Sequence, residues 1–371
     1  MAATFGYSIF LVRVAVARRP RAVERVNECG PDGRDLFDIV TEAFQAMGDG
    51  FRSELSDAEG FRRKEYKLSG RAAWVKIYKG PAGIEGETYD MDTGESVPTS
   101  ERQALLSGLR AVIILPENSY YGLLFVERIG RRNLKQLLEK WVFEPATHML
   151  RGSLVRLEAF AETSDWQLLL ADKQVLQVSE FLKSQPGDDA STAEEKTVKV
   201  TVTGTALRNL TDGIRTMVLD RVTRKNDRAE LITEAARLEA KRVATQQRAA
   251  GPDAFTIQDQ EKLDAVAARL QELDTHADRS IAELIDSINP VGNPSDQGLM
   301  HSSYEVSLGT RRPERVFSVE RDSMPQFVYE TSRRLSDSEL WAAWVSHAET
   351  ILENRGVSLP TGWVGSDPTA T

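Results

Sequence analysis

Eight apolar residues, Leu263, Val266, Leu270, Leu273, Ala277, Ile281, Leu284 and Ile288, stand 3, 4, 3, 4, 4, 3 and 4 positions apart. Apolar groups at that spacing line one narrow stripe of an α-helix, and so narrow a stripe needs a second helix to cover it. The preceding stretch, about Ala206 to Ala249, supplies one, with Leu207, Leu210, Ile214, Met217, Leu231 and Leu238 on its apolar side. Gly251-Pro252 separates the two, and Asp253 or Thr256 can cap the second. An antiparallel, coiled-coil-like hairpin over 206–289 gives each stripe a place to be buried, within one chain or across subunits.

The residues before it follow a different pattern. Phe5 to Ala17 is apolar, but Arg13 interrupts it and Arg18, Arg19 and Arg21 follow it, the reverse of a secretory leader. A buried strand is the better reading, and with no run long enough to span a bilayer the expectation is a cytoplasmic protein. Leu36, Ile39, Val40, Ala43, Phe44 and Met47 form one helical stripe. Strands are predicted at Glu65–Leu68, Ala72–Tyr78, Ile84–Met91, Ala111–Leu115, Tyr120–Ile129, Leu154–Ala161, Trp166–Leu170 and Val198–Val202. Helices are predicted at Ser100–Leu109, Asn133–Phe143 and Asp172–Leu182. Ser184–Lys196 has no large apolar residue and reads as a linker.

After a breaker-rich stretch from Asn289 to Met300, Tyr304–Leu308 and Arg315–Glu320 read as strands. Asp337–Asn354 reads as a helix with Ser336 and Glu339 as a capping box, and Gly365–Thr371 as a frayed tail. The expected fold is α+β. A mixed or antiparallel sheet with packed helices fills 1–205, the helical hairpin 206–289, and a small α+β module 290–371.

Charge narrows the function classes. The net charge of −9 excludes a uniformly basic coating protein. It is unevenly spread: 206–250 carries +4 and 251–289 carries −6. One reading lays a cationic helix on a nucleic-acid backbone; the other pairs the two helices with each other. Arg221, Arg224, Lys225 and Arg228 concentrate the charge on the first helix. A second candidate site is Arg128, Arg131, Arg132 and Lys135, around Gly130-Arg131-Arg132-Asn133, where a strand gives way to a helix and guanidinium groups can hold a phosphate. Further clusters are Arg62, Arg63, Lys64, Lys67 and Arg71, beside the aromatic residues Phe61, Tyr66, Trp74 and Tyr78, and Arg311, Arg312 and Arg315.

Catalytic signatures are sparse. Glu65-Tyr66-Lys67 has the E-x-K form of metal-dependent nucleases, with Asp57 as the upstream acid. On a strand, however, Glu65 and Lys67 also read simply as a wet face. P-loop, dinucleotide-fingerprint and nucleophile-elbow motifs are absent. The four histidines lack metal-ligand spacing, and Cys29 has no nearby histidine in sequence. No cofactor or resident metal is expected.

The stretch Tyr120-Tyr121-Gly122-Leu123-Leu124-Phe125-Val126-Glu127-Arg128-Ile129-Gly130, its following helix and Val198-Lys199-Val200-Thr201-Val202 resemble, in element order and hydrophobic pattern, the core of RexA-type phage-exclusion proteins. The resemblance covers about the first half of the chain and implies DNA binding by an anti-phage defence protein. The leading expectation is therefore a non-enzymatic nucleic-acid-binding protein, with DNA as partner, that self-associates through its helices. The alternatives are a protein-interaction scaffold and a nuclease using Asp57, Glu65 and Lys67.

Overall fold

The computed structural model describes residues 4–17, 19–50, 52–53, 59–81, 86–89, 95–99, 106–172, 174–184, 197–203, 211–247, 254–276, 299–309, 315–320 and 326–370. The first elements are β1 (Phe5–Val16), β2 (Arg19–Glu24), α1 (Leu36–Met47), β3 (Arg52–Ser53), β4 (Glu59–Ser69) and β5 (Ala72–Pro81). Then come β6 (Gly86–Tyr89), β7 (Ser96–Thr99), β8 (Ser107–Ile114), β9 (Gly122–Ile129), α2 (Lys135–Leu138), a π-helical turn (Glu139–Phe143) and α3 (Glu144–Met149). They are followed by β10 (Ser153–Phe160), α4 (Thr163–Asp172), β11 (Gln174–Ser184), β12 (Thr197–Thr203), α5 (Thr211–Gln247) and α6 (Ile257–His276). The last are β13 (Leu299–Gly309), β14 (Arg315–Glu320), β15 (Tyr329–Thr331) and α7 (Asp337–Asn354).

The fold is α+β, in two compact units. The first comprises Met1–Leu157 with Val328–Thr371, and the second Glu158–Phe327. These boundaries differ from the division at 205 and 289 drawn on the sequence. The reason is strand pairing: β11 joins β13, so residues on either side of the expected hairpin share one sheet.

The first unit is built on a sheet in the order β10-β1-β9-β8-β5-β4-β3, with β2 and β15 also paired to β1. The pairings of β1 with β9, β9 with β8, β8 with β5 and β5 with β4 are antiparallel, one of the two arrangements expected. Helix α1 begins where the Asp35 carboxylate accepts from the Phe37 amide at 2.8 Å, and its expected stripe is buried. It covers one face of the sheet, where Phe44 stacks on Tyr66 at 5.0 Å and Trp141 meets Phe61 edge-on at 5.3 Å. Helix α7 covers the other face. Trp344 is fully buried, 5.8 Å from Trp74, 5.9 Å from Phe125 and 6.1 Å from Tyr7. The capping box at Ser336 and Glu339 is present.

Three expectations in this unit are corrected. The helix predicted to end at Leu109 meets a strand instead, since β8 starts at Ser107; residues 100–105 lie outside the described residues. A strand covered on both faces reads as an unbroken apolar run and loses its period of two, which is what Leu109 and Ala111–Leu115 display. The helix expected to end at Phe143 continues through a π-turn to Met149. The tail is tied down: Ser69 Oγ donates to the Ser366 carbonyl at 2.7 Å and the Arg71 amide to that of Trp363 at 3.3 Å. Gly70, at φ +56°, makes the close approach possible, because a Cβ there would stand 2.5 Å from the Trp363 oxygen.

The second unit contains a sheet in the order β12-β11-β13-β14. The strand expected at Trp166–Leu170 is helix α4, and the helix expected at Asp172–Leu182 is strand β11. Trp166 and Leu170, four apart, are buried while Leu168 is 71% exposed, a helical period that a run of three leucines conceals. Strand β11 sits between β12 and β13. Helices α5 and α6 run antiparallel, because contacts advance along one as they retreat along the other: Thr245 with Phe255, Lys241 with Asp259, Arg228 with Asp274. The buried side of α5 is Val218, Val222, Ala229, Ile232 and Leu238; of the expected positions only Leu238 is buried among the described side chains. Leu270 and Leu273 are buried on α6, while Ala277, Ile281, Leu284 and Ile288, like the linker 185–196, lie outside the described residues. Among the described residues, no helix is long and apolar enough to cross a membrane.

Candidate nucleic-acid interface

The four basic residues singled out on α5 do not form one open surface. Arg221 is buried. Arg228 pairs with Asp274 of α6 at 3.2 Å, and Arg224 Nε donates to the Asp220 carbonyl at 3.1 Å within its own helix. Lys241 pairs with Asp259 of α6 at 2.7 Å. The Asp259 carboxylate also accepts from Thr256, and these contacts hold its pKa well below the ordinary carboxylate range. Two of the contacts between α5 and α6 are thus ion pairs joining opposite charges. A groove of about 290 Å³ is lined by Asp227, Glu230, Leu231, Glu234 and Arg269, three carboxylates against one guanidinium, and so repels phosphate.

In the first unit, Gly130 at φ +59° lets the chain turn from β9, and Ile129 and Arg132 close the turn with reciprocal backbone hydrogen bonds of 3.1 and 3.0 Å. Arg131 and Arg132 are exposed, and Arg132 Nη1 donates to Ser107 Oγ at 3.1 Å. Arg128 turns its Nε to the Gly130 carbonyl at 2.7 Å. Lys135 pairs with Glu139 at 2.7 Å and lies over the Phe10 ring at 5.6 Å. Asn133 Oδ1 accepts from the Lys135 amide at 2.9 Å at the start of α2. This cluster therefore presents two open cations, not four.

The open cations of β4 lie on the same sheet. Among the described residues, Arg62, Lys64 and Lys67 make no side-chain ion pair or hydrogen bond, and Arg62 and Lys64 are exposed. Arg62 stands directly opposite Tyr78 of β5, and Tyr78 opposite Gly108 of β8, so all three occupy one face. The Tyr78 ring rests where a side chain at 108 would be: a Cβ there would meet Tyr78 Cε1 at 2.6 Å. Arg334 donates to the Gly108 carbonyl and remains 40% exposed. Of the four aromatic residues considered for base stacking, Phe61 and Trp74 are fully buried and Tyr66 is half-buried, bonded to Thr41 at 3.1 Å. Tyr78 is half-buried and its hydroxyl has no partner among the described residues.

Beside this face is a buried charge network that the sequence reading missed. A row of facing residues crosses the sheet: Glu65, Lys76 and Arg110 on β4, β5 and β8, then Glu127, Tyr7 and Tyr329 on β9, β1 and β15. The Arg110 and Glu127 side chains are each 3% exposed. Glu127 accepts from Arg110 Nε and the Arg110 amide at 2.9 and 3.1 Å, and from Arg334 Nε at 2.9 Å. Arg110 also donates to the Leu335 carbonyl and to Asp337, each at 2.8 Å, and Lys76 reaches Asp337 at 2.6 Å. Burial alone would raise the carboxyls of Glu127 and Asp337; the surrounding cations outweigh it and hold both below their ordinary values. Each buried charge has several partners, which makes this a fastening for segment 334–337.

The E-x-K carboxylate, Glu65, shares Lys76 with Asp337. Glu65 lies 3.9 Å from Lys76, the register shifts beside it between Arg63 and Glu65, and Asp57 is outside the described residues. Among the described residues no group of three metal-ligating side chains forms. His347 Nδ1 is 3.1 Å from the Tyr7 hydroxyl within an aromatic cluster. Cys29 is buried and bonded to the Arg34 carbonyl at 3.0 Å, and burial pushes its thiol up to about 12, which makes it inert. No protein-family model, curated protein or solved structure matches the chain.

Proposed function

We propose that this chain is a nucleic-acid-binding protein whose interface is the first unit's sheet around Arg62, Tyr78 and the Arg131-Arg132 turn. The observation that carries the reading is the set of cations there that have no carboxylate partner among the described residues, against the ion pairs that join α5 to α6. Phosphate binding needs guanidinium and ammonium groups whose charge is not already neutralised. The resemblance to RexA-type phage-exclusion proteins favours DNA as the polymer and anti-phage defence, inside the cell, as the setting.

A gel shift over a salt series tests it. Each phosphate contact to duplex DNA adds about 0.9 to the slope of log affinity against log salt. Replacing Arg62, Arg131 and Arg132 together with Glu lowers that slope by about two to three. Arg228→Glu, which removes a cation already paired to Asp274, leaves it unchanged. Undetectable binding at low salt overturns the proposal.

A second reading is self-association through the hairpin. Its support is exposed apolar surface on both helices, at Val243 (42%) and Ile257 (82%). Light scattering from the wild type decides it, and a monomer removes it.

A further inference from the structure

We infer that the ligand is single-stranded nucleic acid, held by stacking of one base on Tyr78 with a flanking phosphate on Arg62. This rests on the nucleic-acid reading above and adds the strand state of the polymer. Three features argue for it. The Tyr78 ring lies against the backbone of Gly108, the one residue type that leaves room for it there. It belongs to a regular strand in the middle of the sheet, so its position is fixed by pairing to both β4 and β8. A half-open ring fixed beside Arg62 is the arrangement that accepts an unpaired base, because every base has a π-face and every base carries a phosphate on either side. Duplex DNA has no base face to offer, since its bases are stacked on one another. Arg62 and Tyr78 are direct cross-strand neighbours, whereas Arg334, at the next strand, is held by Glu127 and the Gly108 carbonyl. The open cation therefore lies beside the ring on the same face of the sheet.

Fluorescence anisotropy on the full chain tests this, with labelled oligo(dT) and oligo(U) of about 16 nucleotides and a duplex of equal length. Single strands bind more tightly than duplex at the same salt. Tyr78→Ala weakens single-strand binding by about five-fold or more, and Tyr78→Phe, which keeps the ring, retains it. The ratio of oligo(dT) to oligo(U) affinity distinguishes DNA from RNA. Thermal melting of Tyr78→Ala confirms that the variant is folded. If Arg62→Glu weakens binding while Tyr78→Ala does not, or if duplex binds as tightly, the stacking inference is overturned and the broader reading stands. If the wild type binds none of the three at low salt, both fall.

Discussion

Replacing Glu127 with Ala leaves two guanidinium groups facing a carboxylate that is gone. Arg110 is buried beyond the reach of water and its charge cannot be shed, because the guanidinium is held above an already high ordinary value. The cost of orphaning one member of such a pair is about 3–5 kcal/mol, and urea denaturation of Glu127→Ala measures it. Replacing Arg110 and Glu127 together with apolar residues of similar volume costs much less, since both buried charges then disappear. A double variant as unstable as Glu127→Ala refutes this account. The pair was half legible in sequence. Arg110 sits between Leu109 and Ala111, and Glu127 follows Phe125 and Val126, so each is a charge inside an apolar run. Their partnership was not legible, because it is made by adjacent strands and by Arg334, more than two hundred residues further on. Residue spacing likewise marked Arg221 as a surface cation, yet α5 buries it.

At the scale of elements, local signals succeeded where they were complete. Ser336 with Glu339 announces the start of α7, and the Ser336 hydroxyl accepts from the Glu339 amide at 3.3 Å. Arg333 and the Ser336 contacts hold the Glu339 carboxyl down to about 2. Ser336→Ala removes the cap and costs about 0.5–2 kcal/mol, read as a lowered thermal midpoint. No change in stability removes the cap from the account. The stripe of α1 was equally legible, since all of its expected residues are buried. Short apolar runs were not: Trp166–Leu170 and Val175–Leu182 fit either period, and tertiary surroundings chose helix for the first and strand for the second. The charge split between α5 and α6 was visible as a pattern. Its use became visible only as Lys241–Asp259 and Arg228–Asp274, which join the helices and leave less charge for a ligand.

At the scale of the whole molecule, the first unit is made of two chain segments separated by the second. Sequence order cannot display such a return, because β15 and α7 are remote in sequence from the sheet they complete. Backbone pairing of β15 with β1 and hydrogen bonds from Ser69 and Arg71 to the tail hold the returning segment, and so do two sets of side-chain contacts. One is apolar, with Trp341 and Trp344 against Trp74; the other is the ion network on Glu127 and Asp337. The second depends on the ionisation of its carboxyls. Both carboxyls have folded pKa values below the ordinary 4.5 of Glu and 3.8 of Asp. Their stabilisation is therefore complete above those ordinary values and is lost as pH falls through the lower folded ones. A site for a sequence-specific protease introduced between Glu320 and Pro325 separates the segment covalently while leaving these contacts in place. After cleavage the C-terminal fragment co-elutes with the remainder on size exclusion at neutral pH. As the buffer is taken below about pH 4 it is released, because protonated carboxyls no longer balance Arg110 and Arg334. A fragment that separates at neutral pH refutes the fastening, and one that stays bound down to the acid unfolding of the sheet assigns the hold to the apolar packing and backbone hydrogen bonds.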